Sequence, residues 1–408
     1  MTRKRGVSPS SEADIEISTQ RPDTLTINMG PSHPATHGVL RVVLDLDGET
    51  VVACRPDVGF LHRGMEKIAE NRTYLQFIPY TDRMDYLCPL AANVGFALAV
   101  EGLLGIEVPA RCQVLRVICC ELARIGSHLV WLGTSALDLG AATVFFHTFK
   151  DREWHYDLIE DLTGARLTTS YTRVGGVAHD ATAEWLKRLR EFVDAMPDRI
   201  DDFEGLLTKN AIWLKRTQGV GRLSAAEALS YGVTGPVLRA SGVSYDVRKA
   251  KPYSGYQNYD FEIPVGTEGD VYDRHLVRIE EMRQSVSILD QALKSIPGGP
   301  VNVDDPKIFL PAKSKVLRSM EELIHQFMIV TEGFSCPAGE IYVATEVPKG
   351  ELGFYLVSLG GKSPYRCRIR SSAFNNLASL QHQVEGELVA DVVACIGSID
   401  PVMGEVDR

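Results

Sequence analysis

From Val39 onward the chain alternates. Val42, Leu44 and Leu46 fall on one side and Arg41, Asp45 and Asp47 on the other, the period of two that predicts a half-buried strand. Asp47-Gly48 supplies a turn and Thr50 to Cys54 resumes the strand, so a β-hairpin is expected. Beyond about Met65 the period lengthens. Ala91 to Leu104 forms one helix, and Gln113 to about Leu137 is apolar nearly all round, which predicts a longer helix at the centre of the molecule. Steps of three and four place Leu186, Leu189, Val193, Met196, Ile200, Phe203 and Leu207 on one stripe. Leu276, Ile279, Met282, Val286, Leu289, Leu293 and Ile296 form another. Both stripes predict helix packing rather than a cofactor box. Pro297-Gly298-Gly299-Pro300 ends the second helix, and one more helix is expected from about Lys315 to Met328.

The last part of the chain changes character. Ile341 to Glu346, Leu352 to Ser358 and Tyr365 to Ile369, separated by Pro348-Lys349-Gly350 and Gly360-Gly361, predict a small antiparallel sheet. Leu388 to Ile396 reads as an apolar, strand-like run that tucks the final residues inside. The fold class expected is α+β, a large helical bundle core with small antiparallel β elements near both termini. Its divisions are a disordered tail (1–22), an N-terminal β region (23–64), a helical core (65–330) and a β-rich region with a buried tail (331–408).

Composition narrows the function. The chain has 408 residues and a formal charge of −10, which argues against nucleic acid as the main partner, because phosphate binding needs clustered cations. Its longest uncharged runs, Tyr86 to Val100 and Ile125 to Leu137, fall short of the roughly 20 apolar residues a spanning helix needs. The first residues carry basic groups without an apolar run behind them, so no secretory signal is expected. The eight cysteines include no CxxC pair, so reduced, buried thiols are expected rather than a cluster held by this chain alone. No G-x-G-x-x-G follows a strand, so NADH is not expected to bind here.

Several constellations could carry chemistry. Gly30-Pro31-Ser32-His33-Pro34-Ala35-Thr36-His37-Gly38 is a loop stiffened by two prolines and bracketed by glycines, which fixes side chains at low entropy cost. Metal ligation, a structural role and proton transfer all stay open for His33 and His37, with proton transfer favoured because no third ligand lies nearby. Leu61 to Lys67, containing Arg63, reads equally as a charged helix start. Tyr80 to Tyr86 precedes an apolar helix, where Arg83 offers a fixed cation and Tyr86 a phenol that protonates only a strong base. A capped helix start explains this segment as well. Asp138 sits in an apolar stretch, where a carboxylate is costly unless paired, and His37 is its candidate partner. The terminal Asp400 to Arg408 follows an apolar run and is expected to be tucked in.

Taken in order, GPSHPATHGVLR, LHRGMEK, YTDRMDYL, LDLGA, LRASGVSYDVRK, GELGFYLVS and DPVMGEVDR resemble the D-subunit family of bacterial NADH-quinone oxidoreductases, respiratory complex I. That family is similar in turn to the large subunit of nickel-iron hydrogenases, whose metal is held by R-x-C-x-x-C and D-P-C-x-x-C-x-x-H. Here these read Arg83-Met84-Asp85-Tyr86-Leu87-Cys88 and Asp400 to Arg408. Of the four metal-binding cysteines only Cys88 remains, so hydrogenase chemistry is excluded and no metal is expected. The resemblance implies a quinone site in which Tyr86 and His37 bond the two carbonyls, Asp138 stands behind His37, His33 lies alongside and Val402 lines the pocket. Arg63 and Arg83 would face the tetranuclear iron-sulfur cluster of a neighbouring B subunit. NAD and the iron-sulfur clusters would be carried by partner subunits. The partners implied are the B, C and I subunits of complex I and its membrane-embedded H subunit, with this chain peripheral on the cytoplasmic side of the inner membrane. One departure is Thr168, where the family usually has a histidine thought to make the cluster potential pH-dependent, so a weaker pH dependence is expected. A scaffold subunit, or the same subunit in a complex with another electron donor, are the competing readings.

Overall fold

The computed structural model describes residues 24–408, so the tail expected over 1–22 lies outside the described residues. Three antiparallel strands open the fold: β1 (Leu25–Met29), β2 (Arg41–Asp47) and β3 (Thr50–Asp57), in the order β1-β2-β3. The hairpin expected from the alternation is β2–β3. Strand β1 adds a partner that the sequence did not reveal, with Ile27 opposite Leu44. Val42, Leu44 and Leu46 are buried, and they pack not on the central bundle but on helices from the end of the chain, with Leu377, Val384, Val392 and Ile396 in one shared core. The first described strands and the last helices are thereby held together, and the candidate site is built on that junction.

Helices α1 (Met65–Glu70), α2 (Tyr74–Thr81), α3 (Pro89–Leu104), α4 (Ala110–Asp138) and α5 (Ala142–Thr163) follow. Pro89 at the first turn fixes the start of α3 and Gly105, at φ 66, ends it, the residues that suit those positions. Helix α4 is central, as its sequence implied, and its buried arginines are paired. Arg116 grips Glu101 through two bonds of 2.6 and 2.8 Å, and Arg124 donates to the carbonyl oxygens of Glu346 and Val347. Helix α5 escaped the periodicity reading because its inner face buries Thr148, Asp151, Arg152 and His155 among apolar residues, which erases the apolar stripe.

A two-stranded ribbon, β4 (Thr172–Arg173) with β5 (Gly176–Val177), leads to α6 (Ala183–Leu207), then to the short helices α7 (Ala211–Thr217), α8 (Ala225–Ser230), α9 (Pro236–Ala240) and α10 (Val247–Ala250), and to the long α11 (Val271–Ser295). Both long helices extend the expected stripes by a few residues toward their capping side chains, Thr182 and Asp270. The single helix expected from Lys315 to Met328 is instead two, α12 (Lys313–Val316) and α13 (Met320–Thr331). Ser319 takes extended backbone between them, a residue type that competes with helical hydrogen bonding.

Strands β6 (Ala338–Val347), β7 (Gly350–Leu359) and β8 (Arg366–Arg370) form the expected antiparallel sheet. Helices α14 (Ser372–Ala378), α15 (Leu380–Val384), α16 (Val389–Ile399) and α17 (Met403–Asp407) complete the chain. The strand-like reading of Leu388 to Ile396 is corrected here: it forms α16. Short apolar runs do not distinguish a buried strand from a buried helix, and Val392, Cys395, Ile396 and Ile399 fall on one buried helical face. All eight cysteines are free and buried. No described helix is long and apolar enough to cross a membrane.

Candidate active site

The loop before β2 is frozen by its own hydrogen bonds. Gly30 turns at φ 86, and a Cβ there would collide with the Leu40 carbonyl and the Thr36 hydroxyl. Buried Thr36 donates through its hydroxyl toward the Pro31 and His33 carbonyl oxygens, 3.2 and 2.9 Å away. One 3-10 turn, Pro34–Thr36, separates the histidines. His33 begins it, its Nδ1 accepting from the Ala35 N–H at 3.2 Å, so the ring proton of a neutral His33 lies on Nε2. His37 ends the turn in the left-handed region at φ 57, a position that residues other than glycine occupy only uncommonly. Its backbone N–H is tied to the Pro34 carbonyl at 3.2 Å.

The chain's last residues lie against this loop's neighbours. Asp407 accepts from the backbone N–H groups of Gly59 and Leu61 at 2.9 and 2.6 Å, and the Arg63 N–H donates to the Arg408 carbonyl at 3.1 Å. The Arg63 guanidinium also donates to the carbonyl oxygens of Arg83 and Gly404, at 2.8 and 3.1 Å. A single side chain thus ties the segment before α1, the segment before α3 and the terminal segment to one another. Arg83 remains exposed, bonded at 2.6 Å to the Pro79 carbonyl. Val402 is buried beside them, two residues beyond Asp400.

Beneath this junction is a charge cluster that pattern reading missed. The β6–β7 turn plunges inward, so closely that Gly350 meets the backbone of Gly235 at the start of α9. It carries Lys349 into the core, where the ammonium lies 3.3 Å from Asp85 and 3.5 Å from Asp400 and bonds the Ser127 hydroxyl of α4. Burial alone would lower the Lys349 pKa, but Asp400 and Asp85 outweigh it and keep the side chain charged. The Cys88 thiol donates to Asp85 at 2.8 Å, and burial followed by the Asp85 charge pushes its pKa far up. Glu405 accepts from the Ser372 N–H and hydroxyl at 2.6 and 3.0 Å. Asp85, Cys88 and Glu405 occupy three of the four positions where the hydrogenase pattern has cysteine. With a protonated thiol, and an ammonium already seated on the carboxylates, this donor set favours a fixed internal cation over a metal ion. Only the aligned positions could have pointed to it, since three acidic or thiol groups converging in a core require a cation.

The cluster reaches both proposed proton carriers. His37 is exposed, yet protein crowds most sides of it. Burial lowers its pKa, Asp400 and Asp138 oppose that, and Lys349 adds to it. Half-buried Tyr86 has its pKa raised by burial and by Asp85, and lowered in part by Lys349 and Arg63. Among the described residues neither His37 nor Tyr86 spends its side chain on a hydrogen bond within the chain. Asp138, the last residue of α4, is exposed rather than sealed in an apolar stretch. Partial burial raises its pKa against the fields of His37 and His33, and no direct ion pair joins it to His37 among the described residues. The loop of Thr168 reaches the same region: Leu167 and Thr169 line a small pocket with Tyr86, and the Ser170 N–H donates to Asp82 at 3.1 Å, next to Arg83. A cavity of about 1340 Å³ lies elsewhere, between the body and the segment carrying α12 and α13. The site is an open face, so shape alone would not have located it.

Residues 138–408 match the family described as respiratory-chain NADH dehydrogenase, 49 kDa subunit. The chain is 58% identical over 386 residues to the NADH-quinone oxidoreductase D subunit of Methylacidiphilum infernorum, covering 95% of this chain and 92% of that one. It is 53% identical over 386 residues to the protein of the same name in Geotalea uraniireducens, covering 95% and 99%. It is 56% identical over 387 residues to the NADH-quinone oxidoreductase D 1 subunit of Opitutus terrae, covering 95% and 91%. With matches of this length and identity, the chain belongs to the family of NADH-quinone oxidoreductase D subunits, the 49 kDa subunit of complex I.

Proposed function

We propose that the open face around His37 and Tyr86 is where a quinone headgroup is reduced, between this chain and the B subunit. The supporting observation is that two proton-bearing side chains from distant parts of the sequence, each free of internal hydrogen bonds, share one buried Lys349–Asp400 field. Tyr86 and His37 bond the two quinone carbonyls. Two electrons arrive from the tetranuclear iron-sulfur cluster of the B subunit. Two protons, one from the Tyr86 phenol and one from His37, complete the quinol, and solvent restores them. Tyr86 keeps its proton until reduction generates a strong base. Negative charge growing on the quinone joins Asp400 and Asp138 in drawing a proton from solvent onto His37, and the fully reduced quinone oxygen, the stronger base, then takes it.

Arg63 and Arg83 face the cluster, where a cation favours the reduced state. Val402 closes the apolar side and His33 lies beside the headgroup. The chain works only within the complex, with the B, C and I subunits and the membrane-embedded H subunit, peripheral on the cytoplasmic side of the inner membrane. The charge change near Asp138 couples reduction to proton pumping in the membrane arm. A photoreactive quinone irradiated in the intact complex should label the His33–His37 loop or Tyr86 and should lose that label to excess unreactive quinone. Saturable labelling confined to other subunits would overturn the assignment.

A further inference from the structure

Helix α13 is amphipathic the wrong way round. Met320, Leu323, Ile324, Phe327 and Met328 recur at the spacing of one helical face and are exposed, Met320 by 75% and Phe327 by 63%. The opposite face, Glu322, His325, Gln326 and Ile329, is turned toward the body, and only Ile329 of the helix is buried. A surface helix ordinarily points its apolar stripe at the core. Leu317 and Val330 extend the exposed stripe at either end. A contiguous patch of this kind marks an interaction surface.

The segment is held at its ends and stands off in between. At one end the Val303 N–H bonds the Gly175 carbonyl at 2.8 Å, and Asn302 accepts from the Val177 N–H at 2.8 Å. At the other, Phe334 stacks on Tyr74 at 5.9 Å and Glu332 pairs with Lys362. Between the anchors, the cavity of about 1340 Å³ separates Ile329 and Glu322 from Thr73, Val108 and Val174 of the body. The chain's own core does not claim this helix.

We infer that residues 301–333 form a docking arm, and that the Met320–Met328 face inserts into an apolar groove with an acidic rim on a neighbouring subunit of the same complex. Charge selects that occupant. Lys313, Lys315 and Arg318 are exposed at the leading end of the arm and pair with no carboxylate among the described residues, on a chain whose formal charge is −10. They complement acidic groups placed beside the groove. A lipid surface fits less well. A helix lying on a bilayer carries its basic residues along the water-facing side, whereas α13 contains no Lys or Arg and turns its polar side into its own chain. The mode is an amphipathic helix laid in a groove, with this chain supplying the helix. The inference is independent of the quinone assignment.

The test uses the intact complex in lipid nanodiscs, with Phe327 replaced by photoreactive benzoylphenylalanine and, separately, Gln326 replaced in the same way. The Phe327 probe should join one other subunit at a peptide bordering Asp or Glu residues, while the Gln326 probe links within its own chain. Adducts to lipid or to a second copy of this chain, no adduct, or a labelled groove edged by Lys and Arg would each overturn the proposal. The double substitution Leu323→Glu with Phe327→Glu should weaken retention of the cross-linked subunit by about tenfold or more. Both positions are exposed, so the far-ultraviolet circular dichroism of the variant chain should be unchanged. Undiminished retention would also overturn the proposal.

Discussion

Replacing Lys349 by methionine removes the ammonium from the cluster beneath the site while keeping a side chain of similar length. At an effective dielectric near 20, each of its pairings, at 3.3 Å with Asp85 and 3.5 Å with Asp400, is a gross attraction of about 5 kcal/mol. Most of that is offset by the desolvation of the buried ions, so the pairs add little net stability. Removing one partner is different, because Asp85, Asp400 and Glu405 remain crowded and uncompensated, and such losses run about 3–5 kcal/mol. That is a fifth or more of the roughly 5–15 kcal/mol that holds a typical domain folded. The penalty depends on pH with a definite sign. Burial already raises the pKa values of Asp400 and Glu405 in the folded chain, and losing Lys349 raises that of Asp400 further. A carboxylate with a raised folded pKa destabilises the fold above that pKa, and the destabilisation fades as protons bind on acidification. Urea unfolding of wild-type and Lys349→Met chains, followed by tryptophan fluorescence at pH 8 and pH 5.5, should show a gap of about 3–5 kcal/mol at pH 8 that narrows by about 1 kcal/mol or more at pH 5.5. A gap under about 1 kcal/mol at pH 8, or one that does not narrow on acidification, would refute the view of Lys349 as the counter-charge of these carboxylates.

Gly30→Ala should lower thermal stability more than Gly38→Ala. Both residues have positive φ, worth about 1–2 kcal/mol of strain for alanine, but only at Gly30 does the new Cβ collide with neighbouring atoms. Equal melting temperatures for the two variants would show that the loop yields. Asp138→Asn removes a field that raises the His37 pKa. The alkaline limb of the quinone-turnover profile should therefore move to lower pH, and an unchanged profile would count against Asp138 acting through His37. Thr168→His restores a titratable group to the loop tethered beside Arg83. The potential of the neighbouring B-subunit cluster should then fall more steeply with pH than in the natural protein, and a natural slope already at about 59 mV per pH unit would contradict the expectation.

Long periodic elements were legible because an apolar stripe recurs along each, even where α11 also buries Arg274, Arg278 and Glu281. The stripe of α6 and the alternation of β2 could have been drawn from the sequence within a turn of their ends, whereas α11 starts five residues before its stripe. Helix α5 was not, since Arg152 and His155 interrupt the face it buries. Leu388 to Ile396 was misread because nine consecutive largely apolar residues satisfy either period. At the site, the loop from Gly30 to Gly38 announced itself through its prolines and histidines, and Tyr86 and Arg83 through their place before an apolar helix. Lys349 was invisible. A lysine in a Pro-Lys-Gly turn ordinarily points to water, and only the approach of Gly350 to Gly235 carries it inside. Asp138 was expected to need a buried partner, yet it stands exposed at the end of α4. Its effect on His37 passes through space rather than through a direct bond.

We propose that Tyr86 gives a proton to a reduced quinone, and Tyr86→Phe probes that step because it removes one hydroxyl and leaves the ring in place. Turnover is measured in the assembled complex with a short-chain benzoquinone, alongside electron flow from NADH to a water-soluble one-electron acceptor. Losing a positioned general acid lowers rates by about 10²-fold or more. A loss of that size is expected with quinone, together with full assembly and unchanged flow to the one-electron acceptor. Quinone turnover at the wild-type rate in the assembled Tyr86→Phe complex would contradict it.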